Sequence, residues 1–109
     1  MKPAIYNMFD TPKINHLWHI YYQETKALLD NCVVAWMREE KRDLLKNFFH
    51  SRQGGGKSFA MINWLNICEK MEQYLQNGGD IASMIPQTAQ IRGIFEQDAQ
   101  QVIIALKGE

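Results

Sequence analysis

Apolar residues recur at spacings of three and four along nearly the whole chain, and no stretch sustains a two-residue alternation rich in β-branched residues. A period near 3.6 buries one stripe of a helix, whereas a half-buried strand needs a period of two. The sequence therefore predicts packed helices and no sheet.

The first stripe is Ile14, Trp18, Tyr21, Thr25, Leu28, Cys32 and Ala35. Leu17, Leu29 and Trp36 broaden it, while Ile20, Tyr22, Val33 and Val34 fall outside it. Thr11-Pro12 opens the helix: a threonine oxygen can accept from the first free amides, and proline at the first helical position loses no needed hydrogen bond. The spacing predicts one helix from about residue 12 to about residue 38, with nothing at Asp30-Asn31 that demands a break. A helix apolar on more than one side is either central in a bundle or shared with a partner.

The charge run Arg38 to Asp43 reads as a solvated helix face or a turn. Leu44, Leu45, Phe48 and Phe49 predict a short helix ending near Gln53, where Gly54-Gly55-Gly56 should stop it through excess backbone freedom. Ser58 then caps a helix carrying Phe59, Met61, Ile62, Trp64, Leu65, Cys68, Met71 and Leu75, closed by Asn77-Gly78-Gly79. Asp80 opens a short helical turn through Met84, Pro86 ends it, and a last helix runs from about Pro86 to Lys107. Its stripe is Ile91, Ile94, Phe95, Ala99, Val102, Ile103 and Leu106. Gly93 inside it costs about 1 kcal/mol relative to alanine, which points to close packing there or to a weak spot. Residues 1–11 read as an irregular arm between Pro3 and Pro12, with Ile5, Tyr6, Met8 and Phe9 to bury against the body. The expected fold is all-α, a single domain over residues 1–109: a small helical bundle of four main helices plus a short helix before Pro86.

Composition fits that reading. A chain of 109 residues, 46% apolar, with five Phe, three Trp and four Tyr, can build one core without a disulfide or structural metal. Cys32 and Cys68 lie in apolar helical stretches and read as reduced core thiols. Twelve basic residues balance twelve acidic ones, so no global charge draws the chain to nucleic acid or anionic lipid. The halves differ mildly, with nine basic against six acidic residues in 1–57 and three against six in 58–109. Residues 1–12 lack the apolar core of a secretory signal, and no run of about 18 apolar residues exists to span a bilayer. A cytoplasmic protein with no membrane contact is expected.

Few motifs suggest chemistry. Gln53 to Ser58 ends in Gly-Lys-Ser, as a phosphate-binding loop does, but Ser51 stands where such a loop needs its first glycine and a helix precedes it instead of a strand. The segment reads as a flexible inter-helix loop whose amides, beside Lys57, would attract an anion. His16 and His19 can share a helix face, but a metal site needs a third or fourth ligand, and neither metal nor cofactor is expected. Ser51, Ser58 and Ser83 fall in loops or caps, Glu39 and Glu40 point apart, and Glu69 and Glu72 share a face without a nucleophile, so no enzyme is expected. Ile81 to Arg92 has the outline of a helix-turn-helix, but its second helix carries Arg92 alone against Glu96 and Asp98.

The functional expectation is a non-enzymatic protein–protein interaction module, an adaptor or subunit that also associates with itself as a homodimer. Trp18, Tyr22, Trp36 and Trp64 are its candidate contact residues. Met37, Met61, Met71 and Met84 either line an adaptable surface or fill the core. The alternative is a nucleic-acid-binding subunit using Lys41, Arg42, Lys46, Arg52 and Lys57, with Phe48 and Phe49 interleaved for stacking. That reading fails if Phe48 and Phe49 are core. A third reading is a small inhibitor that blocks a larger protein by contact.

Overall fold

The computed structural model describes residues 11–107. Residues 1–10 of the expected arm, and the Thr11 side chain expected to cap the first helix, fall outside that description, while Thr11 itself already belongs to the first helix. Five α-helices and one 3-10 segment make up the fold, with no strand among the described residues. They are α1 (Thr11–Asn31), α2 (Val33–Arg38), α3 (Arg42–Ser58), α4 (Ile62–Gln76), the 3-10 segment Ala82–Gln87, and α5 (Thr88–Lys107). The all-α bundle is as expected.

Two antiparallel pairings organise the molecule. In the α3–α4 hairpin, Gly56 lies against Leu65, Gln53 meets Glu72 and Arg42 reaches Leu75. In the α1–α5 pair, Arg92 meets Leu29, Glu96 meets Tyr22 and Ile103 lines a groove with Trp18. Trp64 fills the space between these layers. Its ring stands edge-on to Phe95 at 4.9 Å and to Phe48 at 6.5 Å. Burying an aromatic of this size contributes about 1.5–3 kcal/mol, and edge-to-face geometry adds about 0.5–1.5 kcal/mol.

The glycine triplet does not stop a helix. Helix α3 runs through Gly54, Gly55 and Gly56 to Ser58. The reason lies in tertiary packing. A Cβ added at Gly55 would fall inside the Tyr21 ring of α1, and one at Gly56 would touch Leu65 of α4 at 3.4 Å. Close approach of two neighbouring helices overrides the weak propensity against helix. The anion-attracting loop expected there therefore does not exist.

Three other boundaries move. The expected long helix kinks at Cys32, whose backbone (φ −120°, ψ −44°) separates α1 from α2, although Cys32 N–H still bonds the Leu28 carbonyl at 2.9 Å. Ser58 is the last residue of α3, and α4 starts at Ile62 after Met61, whose side chain caps nothing. Pro86 lies inside the 3-10 segment, which passes directly into α5 at Thr88.

Three helices end in the same way. After α2, α3 and α4 the chain makes paired reverse bonds from the second and third residues past the helix. For α3 these are Ala60 N–H to the Lys57 carbonyl at 3.2 Å and Met61 N–H to the Gly56 carbonyl at 2.8 Å. This is the Schellman arrangement, which places its middle residue in the left-handed region. Gly78 fills that position after α4 at φ +83°, but Glu40 (φ 54°) and Ala60 (φ 56°) fill it after α2 and α3.

Helix ends also take hydrogen bonds from distant charged side chains. The Asp98 carboxylate of α5 accepts from Trp64 N–H at 2.8 Å and from the Asn63 amide at 3.1 Å, in the first turn of α4. At the other end of α4, the Arg42 guanidinium donates to the carbonyls of Leu75 at 2.8 Å and Gly79 at 2.9 Å. Arg92 donates to the Leu29 carbonyl at the end of α1 at 3.1 Å. Each sign matches the helix dipole it meets: an anion at the N-terminus, cations at the C-termini.

Candidate interaction surface

The four candidate contact aromatics divide. Trp64 and Trp18 are core residues. Tyr22 and Trp36 are half-buried, on different sides of the fold: Tyr22 stacks on Phe95 at 5.6 Å and donates to Glu96, whereas Trp36 stands edge-on to Phe48 of α3. Met37, Met61, Met71 and Met84 are all buried and fill the core instead of a surface.

Two of the five basic residues, and both aromatics, are committed to the fold. Phe48 and Phe49 are buried, which removes the aromatics that would stack on bases. Arg42 is occupied at the end of α4. Arg52 donates to the Thr25 hydroxyl at 3.0 Å, pairs with Glu24 at 2.8 Å and lies 5.4 Å from the centre of the Tyr21 ring. Lys41 and Lys57 are exposed, and Lys46 is half-buried. Arg92, the single basic residue of the helix-turn-helix outline, is held by Leu29 and Asp30.

Titratable groups of kinds that carry chemistry elsewhere serve the packing here. Trp64 Nε1–H donates to the Tyr21 hydroxyl at 2.9 Å, which in turn donates to the Arg52 carbonyl at 2.6 Å. Burial pushes the Tyr21 hydroxyl up to about 12, against the opposing effect of the Trp64 hydrogen bond. Burial also pushes the Cys68 thiol well above its ordinary value, so it stays protonated and unreactive. Cys32 and Cys68 are both free. His50 Nδ1 lies 2.8 Å from Glu72, which also accepts from Gln53 at 2.7 Å, but the adjacent Ser51 hydroxyl is turned to the Phe48 carbonyl. His16 and His19 are exposed, and no group of three or more metal-ligating side chains exists among the described residues.

Five large apolar side chains are exposed among the described residues, Ile62 at 63% and Ile104 at 59% among them. Leu17 is 40% exposed, Ile20 48% and Leu44 44%. Leu17 and Ile20 share the flank of α1 that also carries Tyr21 and Glu24, at helical spacings of three, four and seven. That flank meets α3, through Tyr21 over Gly55 and Glu24 on Arg52. Leu44 lies on the matching stripe of α3, four residues before Phe48 and eleven before Gly55. Leu17 and Ile20 thus flank the point where α1 crosses α3, while Leu44 lies three turns away on the same stripe of α3 and Trp36 on α2. Ile20 was marked in the sequence by lying off the apolar stripe. Leu44 gave no such signal, because the α3 stripe could be drawn only after the helix was known to continue past Gln53.

No protein family, curated protein or solved structure matches this chain. No helix among the described residues is long and apolar enough to cross a membrane.

Proposed function

We propose that the protein is a non-enzymatic helical interaction module whose α1–α3 seam receives an apolar helix of a partner protein. The observation that supports this reading is the exposure of Leu17 and Ile20, each at least 40% exposed and one turn apart beside the point where Tyr21 packs on Gly55, with Leu44 further along the same stripe of α3. Exposed apolar side chains scattered singly need no explanation, but neighbours one turn apart beside a helix crossing suit contact with a partner helix read at spacings of three, four and seven. The half-buried Trp36 ring supplies an anchor of the kind that dominates such contacts. The nucleic-acid reading keeps only three lysines, Lys41, Lys46 and Lys57, and has no exposed aromatic between them.

The test compares proteins retained from an extract of the source cells by the wild-type chain and by a Leu17→Lys, Ile20→Lys, Leu44→Lys variant with unchanged circular dichroism. A partner held by the wild type and released at least tenfold by the variant supports the seam. Identical retention by both proteins sinks it, and retention of nucleic acid that falls steeply with salt would favour the lysines instead.

A further inference from the structure

The antiparallel α1–α5 pair leaves a groove at one end. Asn15 and Trp18, in the first two turns of α1, line it together with Ile103, Leu106 and Lys107 from the last turns of α5, and its volume is about 350 Å³. Its walls are chiefly apolar. Trp18 is buried, but Ile103 and Leu106 are only half-buried and keep part of their apolar surface in the groove.

This is the end of the molecule where residues 1–10 join the body. Residue 10 is bonded to Thr11, the first residue of α1, and Asn15 and Trp18 follow it by four and seven positions. At 1.5 Å per helical residue the groove therefore begins about 6 Å, and extends to about 10 Å, from the start of α1. An extended chain spans about 3.3 Å per residue, so a segment doubling back from Thr11 covers that distance in about four residues. Residues 5–9 hold four large apolar side chains, Ile5, Tyr6, Met8 and Phe9, interrupted only by Asn7. Apolar side chains at this density leave water wherever a concave apolar surface lies within reach. Charge agrees with the placement. The register of the pair, with Arg92 at Leu29, Glu96 at Tyr22 and Ile103 beside Trp18, brings Lys107 to the first turns of α1. Asp10, next to Thr11, supplies a carboxylate at that same end.

We propose that residues 5–9 of this chain occupy the groove between the start of α1 and the end of α5, with Tyr6 and Phe9 against Trp18, Ile103 and Leu106, and Asp10 paired with Lys107. The segment straps the first helix to the last and closes this groove to other ligands. The α1–α3 seam lies on the other flank of α1 and stays open. This proposal does not rest on the seam reading, and each can fail without the other.

The test is nuclear magnetic resonance of the intact wild-type chain, reading through-space contacts from the Tyr6 and Phe9 rings. Contacts to the Ile103 and Leu106 methyl groups and to the Trp18 ring are expected. Contacts to the methyl groups of Leu17 or Ile20 in their place would put the segment on the seam and overturn the proposal, and so would the lack of any contact between residues 5–9 and α5. A double-mutant cycle gives an independent reading. Phe9→Ser and Leu106→Ser should each raise the unfolding equilibrium constant in urea, and the double variant should fall short of the product of the two effects by at least about threefold. Effects that simply multiply would overturn the proposal as well.

Discussion

Two adjacent glycines in α3 should respond to the same substitution with opposite sign. In a helix interior, alanine is favoured over glycine by about 0.8–1.0 kcal/mol. At Gly54 a Cβ meets nothing within 4 Å, so Gly54→Ala should realise that gain, about 0.5–1 kcal/mol. At Gly55 the same Cβ would occupy the space of the Tyr21 ring. That ring cannot move aside cheaply, because its hydroxyl joins Trp64 of α4 to the Arg52 carbonyl of α3. Overpacking costs about 1–3 kcal/mol, and a displaced hydroxyl forfeits about 0.5–1.5 kcal/mol for each bond lost. Set against the propensity gain, Gly55→Ala should destabilise the fold by about 1–3 kcal/mol. Urea titrations followed by circular dichroism at 222 nm would measure both variants beside the wild type. A Gly55→Ala protein as stable as Gly54→Ala would refute the claim that α1 presses its tyrosine onto the bare backbone of α3.

Removing the distant cap on α4 with Asp98→Ala leaves the buried Trp64 N–H without a partner and should cost about 1–3 kcal/mol in the same titration. Ala60→Gly relieves a left-handed alanine and should raise the stability by about 0.5–1 kcal/mol once the added freedom of the unfolded chain is counted; a loss would argue against that backbone geometry. The Tyr21 hydroxyl, at about 12 in the folded chain against 10.0 in the unfolded one, binds its proton more tightly when folded. Stability from this group is therefore complete below pH 10 and lost as pH rises toward 12, so unfolding free energies measured across pH 9–12 should fall less steeply for Tyr21→Phe than for the wild type.

The helical class and most of the core could be read from the sequence, because Ile14, Trp18, Trp64, Cys68, Phe95 and Val102 repeat at a spacing that only a helix satisfies. The C-cap at Asn77-Gly78-Gly79 was legible for a local reason: a glycine in the left-handed region carries its own signature. Where the reading failed, the cause lay far along the chain. Gly55 belongs inside a helix because of a tyrosine 34 residues earlier, and no local propensity records that. Arg42, Arg52, Arg92 and Asp98 look in sequence like surface charges free to bind phosphates or repel them. The fold turns all four to backbone or hydroxyl groups elsewhere in the fold, and with them go both arginines of the apparent basic patch. Ile20 could be noticed as surplus on α1, but Leu17 reads as part of the buried stripe, and its exposure follows from how α1 crosses α3.

The borrowed caps also govern how the molecule comes apart. Helix α4 holds no side-chain cap of its own, and its two ends are tied by Asp98 from 34 residues later and Arg42 from 33 residues earlier. An isolated 15-residue helix is marginal in water, so α4 cannot persist once either flanking helix departs. Opening α5 releases the N-terminus of α4, and opening α3 strips the arginine from its Schellman-capped C-terminus. Local fraying is thereby converted into whole-molecule unfolding, and amide hydrogens of α4 should exchange only through the global transition, all at one free energy. Folding carries the matching constraint: both long loops must close before the central helix is secure, so α4 consolidates late and together with its neighbours.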